Sequence, residues 1–365
     1  MEQTLGHVTH YQNLRMSVEG QTEVRPTWVT IPFDTAGIER WVPAYGANWS
    51  VRASVRARRR LAAELAAGPH GALFFHTQVT ALFSAGLMRR IPSVVSLDAT
   101  PVNYDSIGAA YGHRPATGSW LDERKHRLNR DVFHAARALV SWSEWAKASL
   151  VADYGVPAER ISVISPGASR GYFDVGDARA SQAREAAPIR LLFVGGDFAR
   201  KGGPMLLESV QAARTQRAFE LHVVTQHDVA AQPGVIVHHG LRPNSPELLK
   251  LFADADAFLL PSNGECLALV LMEASAAGLP IIATNVGAMA EAAIADRSAL
   301  IVPTGDGRAL RAAIESVVDD EPRRLRLGLA GHALARAKFD AERNGQRIVD
   351  ILRSIARPAM ERSVA

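Results

Sequence analysis

Ala257-Phe258-Leu259-Leu260-Pro261-Ser262-Asn263-Gly264-Glu265-Cys266-Leu267-Ala268-Leu269-Val270-Leu271-Met272-Glu273-Ala274 decides how the rest of the chain is read. Its first four residues are an unbroken apolar run, the pattern of a strand buried on both faces. Pro261 to Gly264 are turn formers. A second apolar run of helical length follows. The segment therefore predicts a strand, a loop and a helix whose N–H groups and positive dipole end face the loop. Such an end suits a diphosphate. Glu265 and Glu273 have seven residues between them, about two helical turns and nearly one face. With Glu265 in the loop, both can point at a ligand on the helix terminus, Glu265 toward sugar hydroxyls and Glu273 toward a ribose diol. The plainer alternative is an N-cap glutamate and one exposed glutamate.

Upstream, Leu191-Leu192-Phe193-Val194-Gly195-Gly196-Asp197-Phe198-Ala199-Arg200-Lys201-Gly202-Gly203 repeats the design. A buried strand ends in glycines that let backbone approach a ligand closely. Arg200 and Lys201 then bring two positive charges to one loop, suited to charge-assisted bonds with phosphate. The spacing is not that of a Walker loop, and an exposed basic turn is the competing reading. Thr284-Asn285-Val286-Gly287 follows a third strand, and the C-terminal ends of parallel strands are the ligand side of such sheets.

Apolar runs alternate with helix-length segments along the whole chain, which predicts α/β architecture with parallel sheets. Strands are expected at 72–75, 93–97, 138–141 and 161–164, and again at 190–194, 221–225, 235–238, 257–260, 281–284 and 300–302. The polar stretch from Asp174 to Ala187 reads as a linker. A first domain over 1–175 and a second over 188–340 result, with 341–365 a last helix able to cross back onto the first. Arg308 to Ala356 reads as helical, interrupted near Pro322 and Phe339. One strand is short. Gly6 and His7 sit where the first glycine turn belongs, with five residues before them; either the first strand is stunted or the chain starts late.

Composition narrows the function. The chain has 365 residues, 47% of them hydrophobic, a soluble globular profile. Cys266 is the only cysteine, so neither an intrachain disulfide nor a cysteine zinc site can form, and a reducing compartment fits. Met1 to Arg15 has no apolar signal core, and no run of about 18 apolar residues exists to span a bilayer. A cytoplasmic protein is expected. The net charge is +4, with arginines clustered at 52, 56 and 58–60 and at 323, 324 and 326. These read as solvated helix faces; the alternative is peripheral contact with an anionic membrane face or a phosphorylated acceptor. No nucleic-acid module is present.

In the first half, His76 ends one expected strand and Asp98 follows another. Asp98 reads equally as an acceptor-orienting carboxylate or a helix cap. His113 lies in Tyr111-Gly112-His113. Asp254 and Asp256 form a D-x-D pair, but at a helix end, where capping outweighs metal binding. No metal is expected.

Together the three glycine and glutamate elements resemble glycosyltransferase family 4, the retaining enzymes of the GT-B architecture. The likeness is close over about 191–306 and extends to the layout of the whole chain. It implies two Rossmann-like domains facing across a cleft, with a nucleoside diphosphate sugar as donor substrate and no cofactor. Lys201 and Arg200 would contact the diphosphate beside Gly195, Gly196 and Gly287, and Leu267 and Ala268 would supply backbone amides. Glu265 would lie beside the transferred sugar and Glu273 would hold the ribose. Gly6, His7, His76, Asp98 and His113 would belong to the acceptor side, the acceptor being a glycan, a lipid or a small molecule. In the mechanism commonly proposed for the family, the departing phosphate takes the acceptor's proton, so the glutamates need not be a glycosidase pair. The chain departs from the family at three places. Gly196 stands where arginine is frequent, Cys266-Leu267-Ala268 where Gly-Phe-Gly is common, and Asp98 where a histidine is often found. A sugar-nucleotide epimerase of the same fold and a non-catalytic nucleotide-sugar binder are the alternatives.

Overall fold

The apolar runs become strands. A computed structural model describes residues 1–3, 6–19, 21, 24–32, 49–113, 115, 117–181 and 188–357. Its strands are β1 (Glu2–Gln3), β2 (Ile31–Pro32), β3 (Leu73–His76), β4 (Ser93–Leu97), β5 (Ala138–Ser141), β6 (Ile161–Val163), β7 (Ile189–Val194), β8 (Phe219–Val224), β9 (Val235–His238), β10 (Ala257–Leu260), β11 (Ile281–Thr284) and β12 (Ala299–Val302). They form a two-stranded pair β1-β2, a sheet in the order β3-β4-β5-β6 and a sheet in the order β12-β11-β10-β7-β8-β9. Every pairing within these sheets is parallel. All four residues of β10 and of β11 are buried, because helices cover both faces of a parallel sheet.

The chain divides into two units. One comprises Met1–Tyr104, Pro115–Ser165 and the chain from Arg343 onward; the other comprises Asp105–Arg114 and Pro166–Glu342. The first is built on β3 to β6. Its core on one sheet face includes Leu97, Phe133, Leu139 and Leu150, and on the other Val94, Val140, Ile348 and Val349. The last two come from the Ala341–Ile355 helix. That helix is tied to the end of β6: Asn344 donates to the Ser165 carbonyl at 3.0 Å.

Two expectations change. The boundary falls at Ser165 and Pro166, and Asp105–Arg114 groups with the second unit. The expected linker is also helical over much of its length, in Arg170–Ser181; residues 182–187 lie outside the described residues. Tyr172 and Phe173 are buried, with the Tyr172 ring edge-on to Phe252 at 5.0 Å. Arg179 donates to the carbonyls of Ala277 and Phe252. The exposed polar residues of this helix gave it the look of a linker, and its two apolar anchors precede the stretch so read.

Candidate functional site

In the larger sheet β7 comes first in the chain but lies between β8 and β10. The chain therefore builds outward from β7 in both directions. The C-terminal ends of β7 and β10 flank a topological switch point, where open α/β sheets bind ligands. The glycine loop after β7 and the glutamate loop after β10 both emerge there.

Backbone contacts fix the loops against each other. Asn263 N–H donates to the Arg200 carbonyl at 2.8 Å, and the Thr284 hydroxyl to the Ser262 carbonyl at 2.6 Å. Ala288 N–H donates to the Cys266 carbonyl at 2.8 Å. Gly202 and Gly287 have φ of 80° and 54°, and a Cβ on either would lie 2.0 Å from a carbonyl oxygen, of Pro261 and Glu265 respectively. Only glycine combines that backbone with that approach. At Gly195 a Cβ would meet the Lys201 side chain at 2.5 Å, whereas the space at Gly196 is open.

These loops gather three charges. Lys201 Nζ lies 2.9 Å and Arg200 Nη1 3.0 Å from the same Glu265 oxygen, Oε1. Glu265 is buried. Burial by itself would raise its carboxyl, but the Lys201 and Arg200 charges outweigh this and hold it below the ordinary value. Arg200 Nε also donates to Asp197 at 3.0 Å. Arg200 Nη1 donates to the Gly264 carbonyl and to the Tyr111 hydroxyl, and the guanidinium carbon lies 4.4 Å from the Tyr111 ring centre.

The helix after the glutamate loop is Leu269–Ala276, with Ala268 at the N-cap and no side-chain cap hydrogen bond. Alanine at the cap position has no side-chain oxygen to offer its first N–H groups. Leu267 and Ala268 directly precede this helix. The helix opens later than the sequence suggested, so Glu273 sits about one turn inside it rather than two. The cause is the extended backbone at Ala268, ψ 112°. Burial pushes the Glu273 carboxyl up to about 7, with Lys201 opposing the rise.

In the first unit, Gly6 opens the His7–Glu19 helix by accepting from His10 N–H at 3.2 Å. His7 Nδ1 and His76 Nε2 are 2.9 Å apart, and His7 Nε2 is 3.8 Å from Asp98. His76 stacks on Trp142, 5.3 Å between centres and 12° between planes. His10, which the sequence reading passed over, lies 4.9 Å from both rings. Burial, and then the neighbouring histidines, depress His10 to about 3 and His76 well below its usual value. The helix-cap role open to Asp98 is filled by Thr100, whose hydroxyl accepts from Asn103 N–H at 3.1 Å. The structure thus brings Gly6, His7, His76 and Asp98 together. His113 groups with the second unit, its ring 2.6 Å from Asp105. Asp254 and Asp256 face Arg190, whose Nη1 lies 3.8 Å from Asp254 and whose N–H donates to Asp256 at 2.8 Å.

Comparison with known proteins joins these two halves. The family described as Glycosyl transferases group 1 matches residues 188–320, and the Glycosyl transferase 4-like domain matches residues 10–167. The chain belongs to the group 1 glycosyltransferase family. A protein named D-inositol 3-phosphate glycosyltransferase, from Arthrobacter sp. (strain FB24), is 27% identical over 217 residues, 54% of this chain and 51% of that one. The chain spans about half the length of such curated relatives. Among solved structures, sucrose-phosphate synthase from Thermosynechococcus elongatus is similar with a TM-score of 0.72 and 18% identity, covering 97% of this chain and 94% of that one. Anabaena Alr3699/HepE in complex with UDP and glucose has a TM-score of 0.63 at 15% identity, covering 89% and 86%. The fold class is that of the GT-B glycosyltransferases.

The departure at Gly196 lies in the same loop as Arg200. The arginine charge absent from 196 is present four residues on, at Arg200, beside Lys201 and Glu265. Tyr111 and Asp197, which hold it, were missed. Asp197 stood in the quoted glycine stretch, and its spacing to Arg200 was the available signal. Tyr111 is far away in sequence and carries no local signal.

Proposed function

We propose that this chain is a retaining glycosyltransferase that moves a hexose-like unit from a nucleoside diphosphate sugar, with the donor held by the second unit. The observation that carries the reading is the convergence of Arg200 and Lys201 on Glu265 at the sheet's switch point, beside the start of the Leu269–Ala276 helix. The chemical problem is leaving-group charge. As the bond from the sugar to the diphosphate breaks, negative charge grows on the phosphate oxygens. Lys201, Arg200 and the helix N–H groups supply fixed positive potential for that charge. The acceptor's proton passes to the departing phosphate, and Glu265, released from the cations by the diphosphate, accepts hydrogen bonds from sugar hydroxyls. Glu273 as carboxylate accepts from the ribose diol.

A uridine nucleotide is the first donor to test, because the similar Anabaena protein is described in complex with UDP and glucose. The Gly6, His7, His76 and Asp98 cluster is the acceptor side of this reading, and the relatives' name makes a phosphorylated cyclitol the first acceptor to try. The test is a thermal-shift screen of uridine, guanosine and adenosine diphosphate sugars, followed by product analysis with an acceptor panel. Stabilisation by one class and transfer with retained anomeric configuration is the expected result. An epimerised donor in the absence of acceptor, or binding without transfer to any acceptor, would replace the reading with an epimerase or a binding protein.

A further inference from the structure

Arg200 is the most heavily engaged charge of the donor site, and one of its partners comes from far back in the chain. Its side chain is only 5% exposed. Its Nη1 reaches Glu265, the Gly264 carbonyl and the Tyr111 hydroxyl, while its Nε is held by Asp197. The Tyr111 ring covers the guanidinium face at 4.4 Å. A cation over an aromatic face gains most when water is excluded, as it is here.

The segment that delivers Tyr111 is built for a fixed position. The Pro101–Ile107 helix passes into a tighter turn, Gly108–Tyr111, which stops at Gly112 with φ 65°. His113 N–H donates back to the Gly108 carbonyl at 2.9 Å, and the His113 ring meets the Asp105 carboxylate at 2.6 Å. The His113 ring also packs on Gly108 so closely that a Cβ there would lie 2.7 Å from it. The turn then abuts the glutamate loop itself: a Cβ on Gly264 would come within 2.5 Å of the Ala110 Cβ.

We propose that Tyr111 is a positioning residue of the donor site, holding the Arg200 guanidinium and through it the Gly264–Glu265 loop where a nucleoside diphosphate sugar needs them. This rests on the donor-site reading above. Tyr111 touches no reacting atom in this proposal. It acts with Asp197 and the Gly264 carbonyl, closing the open face of the arginine fork, and so helps to fix the oxygen of Glu265 that meets the sugar. Arginine at 200 is usable for phosphate only while that fork is aimed.

The experiment compares Tyr111→Phe, Tyr111→Leu and Arg200→Lys, singly and with Tyr111→Leu and Arg200→Lys combined. Readouts are donor kcat/KM, nucleoside diphosphate affinity by calorimetry and melting temperature. Tyr111→Leu is expected to lower kcat/KM about thirtyfold or more, the size of a desolvated cation–π contact. Tyr111→Phe keeps the ring and should lose about tenfold, the lower end for a hydrogen bond from a charged donor. In the Arg200→Lys background the leucine change should cost almost nothing more, since the group it aims is gone. If Tyr111→Leu lowers the melt but leaves kcat/KM unchanged, Tyr111 is a brace for the fold and the proposal is overturned. Full additivity with Arg200→Lys would also overturn it. Tyr111→Met, of similar bulk without a π face, carries the test if the leucine variant does not fold. Absence of nucleoside diphosphate binding in the native chain is a separate outcome: it removes the donor-site reading and this proposal with it.

Discussion

Lys201 and Glu265 form a close ion pair, Nζ to Oε1 2.9 Å, and Arg200 shares the same oxygen. One buried carboxylate thus occupies the charges that a diphosphate would need. On the proposed function, donor binding would be an exchange in which phosphate takes the cations and Glu265 turns to sugar hydroxyls. Lys201→Ala is expected to lower donor kcat/KM by about 10- to 150-fold, the factor for roughly 1.5–3 kcal/mol of charge-assisted bonding. Part of the loss should appear in kcat, because phosphate charge grows toward the transition state. Steady-state kinetics check both; kcat/KM close to the native value would take Lys201 out of the mechanism.

On the proposed function the positive charge for the leaving group would come from side chains and a helix end, so transfer is expected to persist in EDTA. Among the described residues no group of three or more His, Cys, Asp and Glu side chains is placed to hold a metal. The aspartates of the D-x-D pair are turned to other work: Asp254 also pairs with Lys250 at 3.0 Å. Loss of activity in chelator, restored by magnesium or manganese, would reject this expectation.

The strands were legible because both sheets are parallel and most of their strands are dominated by apolar residues. Ser93–Leu97, Val235–His238 and Ala257–Leu260 occur with the expected bounds. The switch-point loops were legible for a related reason, since close backbone approach leaves glycines in the sequence at 202 and 287. Two features were not legible. The Arg170–Ser181 helix shows a polar face to solvent and is anchored by Tyr172 and Phe173, so polarity alone suggested a linker. Tyr111 stands on a tight turn whose partner, Arg200, is 89 positions away, a relation no local pattern encodes.

Glu273 makes a pH prediction with a definite sign. Burial raises its carboxyl from 4.5 to about 7, so between those values the folded chain holds a proton that the unfolded chain has released. Stability from this group is therefore full below pH 4.5 and is lost as pH rises through 7, by about 3 kcal/mol over the window. Glu273→Gln should melt above the native chain at pH 8 and close to it at pH 4.5. Taking the difference between the two chains removes the contributions of Glu265, His10 and His76, which both share. A difference in melting temperature that does not change with pH would show that the Glu273 carboxyl titrates alike in the folded and unfolded chains.

The last prediction separates the work of the two glutamates. Glu265 stands in the loop against Lys201 and Arg200, whereas Glu273 lies a turn inside the Leu269–Ala276 helix. Glu265→Gln should lower turnover more than it alters nucleoside diphosphate affinity. The amide keeps the side chain's shape but no longer neutralises two cations, so affinity for the bare diphosphate should hold or rise. Glu273→Gln should weaken the nucleoside diphosphate and the intact donor alike, because both carry the ribose. Calorimetry with the nucleoside diphosphate, beside donor kinetics for each variant, checks the contrast. Equal loss of nucleoside diphosphate binding in both would mean that sugar and ribose are not divided between them. If neither variant changes binding or turnover, Glu265 is only a counter-ion for its own loop, and the donor must be sought elsewhere in the chain.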